Sequence, residues 1–296
     1  MTVVVGYLPH KGGRGALDLG LQLAHALGEP LTVVTVVPRQ WSTPSLAKVD
    51  ADHADYARQV GEYAQARARE YLHDSTVDVA ITYHTISGRS TSTALLDLAE
   101  DEAVSMLVLG SSTDGAEGRI SIGATTGKLL HSSPIPLALS PRGYRSTARD
   151  GVPRLTCAYS DNEASDRVAV DVAVLAAAIA APLRIASFGI RGATMYPPEV
   201  GVSAEDAVLA SWQGQAATAQ RHLRDSGLIG DDVDLVIGTG PGWSEALSSI
   251  DWKPTEILAL GSSTTGRIAR VFLGSRATKL IRHSPVPVLI IPGQGA

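Results

Sequence analysis

The chain has 296 residues, of which 44% are hydrophobic and 19% charged, and its formal net charge is −5. It is too apolar for a disordered chain and long enough for two domains of common size. The negative charge excludes a general binder of nucleic acid or of anionic membranes, since either needs a basic surface.

Taken in order, the opening "MTVVVGYLPHKGG" has a short apolar run with no basic residue before it, and it reads as a first strand of mature sequence rather than a signal peptide. Strands are expected at 2–7, 31–37, 77–84, 105–110 and 135–140, alternating with helices near 14–27, 45–73, 91–102 and 123–131. The helix at 45–73 carries mixed charges three and four residues apart, the pattern of a solvated face. The segment "RGYRSTARDG", 142–151, is polar and rich in breakers and reads as a linker. It separates a domain at 1–143 from one at 152–296.

The second half repeats the order, with strands expected near 154–159, 183–188, 232–237, 256–261 and 286–291. Its longest apolar stretch, "VAVLAAAIAA" at 172–181, is about half a bilayer span and runs into Pro182, so it reads as a buried helix. Cys157, inside "RLTCAY", is the single cysteine; no intrachain disulfide can form, which suits a reducing compartment. Strands alternating with helices imply crossover connections and a parallel sheet covered on both faces. The expected fold is therefore α/β: two tandem doubly wound domains, each a five-stranded, Rossmann-like parallel sheet of order 3-2-1-4-5.

A shift of 151 positions lays "LGSSTDGAEGRISIGATTGKLLHSSPIPL", 109–137, on "LGSSTTGRIARVFLGSRATKLIRHSPVPV", 260–288. A period near half the chain means two domains rather than a solenoid. In each half this loop leaves the carboxyl end of the fourth strand, where doubly wound sheets place their ligands. Gly123 and Gly274 stand just before a helix, whose free N–H groups and dipole favour an anion. Ser275, Thr125 and Thr126 offer hydroxyls, and Arg119 and Arg270 offer charge; together these parts suit a polyphosphate. Chain geometry alone also accounts for glycine at such places.

The frame Gly110, Thr113, Gly123, Ala124 in the first half and Gly261, Thr264, Gly274, Ser275 in the second resembles the G-x2-G-x9-G-[ST] loop of ATP-binding members of the universal stress protein family. A Pro-flanked fifth strand follows in both, and the resemblance covers nearly the whole chain as two tandem domains. It departs from the family at the second glycine, which is displaced to Gly115 and Gly266. It departs again after the first strand, where Leu8 and Ser160 stand at the family's Asp and Asp161 is one residue away. The resemblance implies a cytoplasmic stress-response regulator with a degenerate or weak site for ATP or another adenine nucleotide, with or without Mg²⁺. The implied site residues are Gly110, Ser111, Thr113, Arg119, Gly123 and Thr125 in the first domain, and Asp161, Gly261, Ser262, Thr264, Arg270, Gly274, Ser275 and Arg276 in the second. It further implies an intramolecular pseudo-dimer whose fifth strands meet, and admits a homodimer. A nucleotide-independent interaction module of the same fold is the alternative.

Other patterns carry less. "GATTGK", 123–128, lacks the glycine spacing of a P-loop, and Leu129 replaces its Ser or Thr. "GTGPGWSEAL", 238–247, lacks the x-x-G ending of a dinucleotide loop and reads as a strand-to-helix turn. The eight histidines show no metal spacing; His131 and His283 fall at helix ends, and His10 follows the first strand. No acid/base constellation marks an enzyme.

Overall fold

The computed structural model describes residues 1–39, 47–75, 77–101, 103–147, 149, 151–191, 201–262 and 274–293, with backbone alone for 47–53 and 201–205. The chain divides into two compact units, Met1–Gly151 and Val152–Ala296.

Unit 1 runs β1 (Thr2–Gly6), α1 (Gly13–Leu27), β2 (Leu31–Pro38), α2 (Ala47–Leu72), β3 (Ile81–Gly88), α3 (Thr91–Ala99), β4 (Val104–Gly110), α4 (Ala124–Leu130) and β5 (Leu137–Ser140). Every pairing is parallel: β1 lies between β2 and β4, β3 pairs outside β2, and β5 pairs outside β4. Unit 2 repeats this with β6 (Leu155–Ala158), α5 (Glu163–Ala178), β7 (Leu183–Ile190), α6 (Gly201–Asp225), β8 (Asp234–Gly240), α7 (Trp243–Ser248), β9 (Ile257–Gly261), α8 (Ser275–His283) and β10 (Val288–Ile291). Here β6 lies between β7 and β9, with β8 and β10 outermost. Right-handed crossovers put the helices that follow the first two strands on one face and those that follow the third and fourth on the other. The crevice opens where the chain reverses, beside β1 in unit 1 and β6 in unit 2.

The central strands are apolar because both faces are covered. Val3, Val4 and Val5 of β1 and Met106 to Val108 of β4 are at most 2% exposed. By contrast β3 alternates between half-buried and exposed residues. It also begins at Ile81 rather than at residue 77, and continues to Gly88. Its extent follows its partner, pairing Leu31 with Ile81 and Pro38 with Gly88, so the ladder and not β-propensity sets the ends. The apolar stretch at 172–181 is likewise only partly buried: Val172 and Ala176 face the core, while Val174 is 67% exposed. The helix α5 stops at Ala178 within that stretch. It covers one face of the sheet and is not enclosed.

Helix α1 is enclosed. It starts after Gly12 (φ 75°) and ends at Gly28 (φ 65°), whose N–H bonds to carbonyls of the last turn. Gly15, Asp18 and Gln22, one stripe of its surface, are covered by the segment after β5. Tyr144 donates its hydroxyl to Gln22 Oε1, and Gln22 Nε2 donates to the Gly151 carbonyl at 2.8 Å. Arg145 stands 3.6 Å from Asp18. A Cβ at Gly15 would lie 3.3 Å from both the Pro141 carbonyl oxygen and Tyr144 Cβ, so the segment sits close against the helix. The polar stretch after residue 142, which reads as linker in sequence, is a strap built onto unit 1.

At the amino ends of the unit 2 strands lies a buried ionic group. Arg184, 2% exposed, reaches Glu256 at 2.8 Å and Thr156 at 2.9 Å; Arg154 reaches the other Glu256 oxygen at 2.7 Å. Thr156 also donates to Glu256. Unit 1 fills the equivalent place with hydroxyls, Thr2 to Thr32 at 2.9 Å and Thr32 to Thr82 at 3.1 Å.

Candidate functional site

Each unit has a cavity at the carboxyl ends of its strands, about 430 Å³ in unit 2 and about 470 Å³ in unit 1. That volume suits a small organic ligand.

In unit 2 one lip is the turn after β6. Tyr159 is fixed there, because its N–H bonds to Ala186 O, its carbonyl accepts from Ser187 Oγ at 3.0 Å, and its hydroxyl donates to Asp166 at 2.8 Å. Burial first, and then that bond to Asp166, push the Tyr159 hydroxyl well above its usual range. Asn162 caps α5 by accepting from Ser165 N–H, and Glu163 and Asp166 lie in its first turn. This helix end is already satisfied and negative. The opposite lip is the start of α8, where Gly274 has no side-chain cap, no acid lies in the first turn and Arg276 lines the cavity. The field therefore runs from a negative lip carrying Asp161 to the positive amino end of α8. That polarity suits an anionic group at α8 and a hydrogen-bond donor at Asp161.

The glycines of the loop divide into two kinds. A Cβ at Gly110 would lie 2.3 Å from the Gly12 carbonyl oxygen, and one at Gly261 would lie 2.3 Å from Val168 Cγ2. Packing demands both. Gly123 and Gly274 differ: each has ordinary negative φ, and the nearest described atom is 3.7 Å away at Gly123 and beyond 4 Å at Gly274. Neither the backbone nor any described neighbour requires glycine there, and both positions border the cavities.

In unit 1 the loop after β4 is tied down by its own side chains. Ser111 Oγ accepts from Ser121 N–H at 2.8 Å, and Arg142 donates to the carbonyls of Thr113 and Gly115 while pairing with Glu117 at 3.3 Å. The cavity is lined by Lys11 where unit 2 has acids, and by Asp114 near α4. Its charges thus run opposite to those of unit 2.

The sequence model of the universal stress protein family matches residues 1–141 and again 152–292. The chain belongs to the universal stress protein family. Universal stress proteins of Mycobacterium tuberculosis and Mycobacterium bovis are each 45% identical to it over 293 residues, 99% of this chain and 100% of theirs. A crystal structure of a universal stress protein from Archaeoglobus fulgidus aligns with 99% of this chain and 98% of its own at a TM-score of 0.62 and 17% identity, a likeness of fold.

Of the residues that the family frame singles out, Asp161, Gly261, Ser262, Gly274 and Arg276 line one cavity, and Gly110, Thr113, Gly123 and Thr125 the other. Ser111 and Ser262 spend their hydroxyls on the chain itself, Ser262 accepting from Gly293 N–H and donating to Ile291 O. Ser275 is exposed and Arg119 half-buried, and neither is among the described residues that line these two cavities. Thr264 and Arg270 lie outside the described residues. His10 stands beside the cavity with φ 67°, its Nε2 3.4 Å from the Tyr63 hydroxyl. Lys128 donates to Thr93 at 3.1 Å. Cys157 is buried in β6, and burial raises its thiol to about 12. Among the described residues no three His, Cys, Asp or Glu side chains form a metal-ligand set, and no helix is long and apolar enough to cross a membrane.

The sequence reading missed Phe188, Trp212 and Trp243, which line the unit 2 cavity. No motif carries them. Their signal was composition: one of two Phe and two of four Trp in the chain meet at one place.

Proposed function

We propose that this universal stress protein is a cytoplasmic stress-response regulator that holds ATP or another adenine nucleotide, with or without Mg²⁺, in the cavity of unit 2. The observation that carries the reading is Gly274: a glycine with ordinary negative φ and no described atom within 4 Å of a Cβ there, at the start of a helix with no side-chain cap that borders the cavity. A missing side chain there lets a phosphate reach the N–H groups of the first turn. Arg276 supplies positive charge at the same lip, and Asp161 accepts hydrogen bonds from ribose hydroxyls at the other. The unit 1 cavity, with Lys11 and Asp114 in the reverse arrangement, is the poorer nucleotide site.

Titration calorimetry of the full chain with ATP tests this. One dominant site per chain is expected, weakened about tenfold or more by Gly274→Val, as expected for loss of a charge-assisted hydrogen bond, and little changed by Gly123→Val. Equal losses from the two substitutions would remove the asymmetry. A folded chain that binds no adenine nucleotide would leave the interaction module of the same fold as the reading.

A further inference from the structure

The two cavities stand on equivalent strands but have different walls. With an offset of 152, Val36 of β2 corresponds to Phe188 of β7, and Thr91, the first residue of α3, to Trp243, the first of α7. Trp212 of α6 adds a third ring to the unit 2 cavity. Its seat is made by Gly189 of β7, where a Cβ would fall 2.2 Å from the indole, so that only glycine leaves the ring room against the strand. All three side chains are half-buried rather than enclosed in the core. In unit 1, Val34, Val36 and Leu95 make an aliphatic wall instead.

We infer that the unit 2 cavity recognises a planar aromatic base by stacking, so that a nucleoside with no phosphate is itself a ligand and the phosphates add to binding without carrying it. This rests on the nucleotide reading above but names which end of the ligand supplies the affinity. Aromatic faces bury large areas and favour offset stacking, and stacking is tolerant of base identity because every base has a π-face. The phosphate end has only one helix N-terminus and an exposed Arg276 among the described residues, and salt screens exposed charge.

The test is calorimetry and tryptophan fluorescence on the full chain with adenosine, guanosine, ATP and ribose 5-phosphate. Adenosine and guanosine should both bind, adenosine within about tenfold of ATP, with little dependence on salt. Ribose 5-phosphate should not bind measurably. Trp212→Leu and Trp243→Leu should each weaken adenosine about tenfold, the loss of one stacking face, whereas Trp212→Phe and Trp243→Phe should retain most of the affinity. Thermal melts confirm that each variant is folded, and the two sites lie on different helices. Binding of ATP and ribose 5-phosphate without adenosine would overturn this inference and leave the nucleotide site standing, as would Leu and Phe variants that behave alike. Binding of none of the four would overturn both.

Discussion

Asp18 shows what burial does to a single group. It lies under the strap on α1, 7% exposed, and its carboxylate accepts from the Tyr71 hydroxyl at 2.9 Å with Arg145 3.6 Å away. Burial raises its pKa to about 6 against these opposing partners. A carboxyl group whose folded pKa lies above its unfolded value binds more protons in the folded state. Its contribution to stability is complete below about pH 4 and is lost as pH rises through about 6. Asp18→Asn should therefore stabilise unit 1 by about 1–3 kcal/mol at pH 8, the equivalent of a shift of up to two pH units, and the gain should vanish near pH 4. Urea melts at the two pH values measure it; a variant less stable at pH 8 would refute the assignment. The same local logic keeps Cys157 a thiol, since burial raises it.

At the level of elements, the start of α8 and the amino ends of the unit 2 strands make opposite use of polar groups. The helix start is left uncapped at Gly274, although Ser is a better N-cap than Gly by a few tenths of a kcal/mol. Gly274→Ser should raise the melting temperature slightly, because its hydroxyl would satisfy one N–H group, and should weaken ATP for the same reason. A variant that loses stability, or that binds ATP more tightly, would contradict the reading of α8 as an anion lip. The Arg184, Arg154 and Glu256 group is instead closed, with Glu256 fully buried and held by both guanidinium groups. Removing one partner of a buried pair leaves charge without compensation, at a cost of about 3–5 kcal/mol. Glu256→Ala should cost that much in chemical denaturation. Thr32→Val, at the equivalent place in unit 1, should cost only about 1 kcal/mol, the net worth of a neutral hydrogen bond.

For the molecule as a whole, duplication has kept the scaffold and let the sites diverge. Both units repeat the tyrosine after the first strand, whose carbonyl accepts from Thr35 at 3.1 Å in unit 1 and from Ser187 at 3.0 Å in unit 2. The charges and wall of the cavity differ between them, and it is on this difference that the proposal of one nucleotide site per chain rests. Among the described residues that line them, each cavity has a single carboxylate, Asp161 or Asp114, and no histidine, and Lys128 is bonded to Thr93. Turnover of Mg²⁺-ATP should stay near background. A kcat above about 1 s⁻¹, the low end of ordinary enzymes, would show a catalytic group that the present reading lacks.

What the sequence by itself determined was everything that depends on local periodicity and on internal likeness. Apolar β-branched runs alternating with helical segments require a parallel sheet, and the 151-residue offset of the glycine loops requires two domains. The loop's place at the carboxyl end of the fourth strand followed from the same pattern. Only the tertiary structure decided what depends on a neighbour across space. The extent of β3 was set by the ladder to β2. The strap could not be told from a linker until Tyr144 and Gly151 met Gln22. Gly110 and Gly274 look alike in sequence and both line cavities, yet a Cβ at the first would strike backbone while one at the second would meet no described atom within 4 Å. Trp212 and Trp243 lie on different helices, with no spacing to connect them, because it is folding and not the chain that brings them to one cavity.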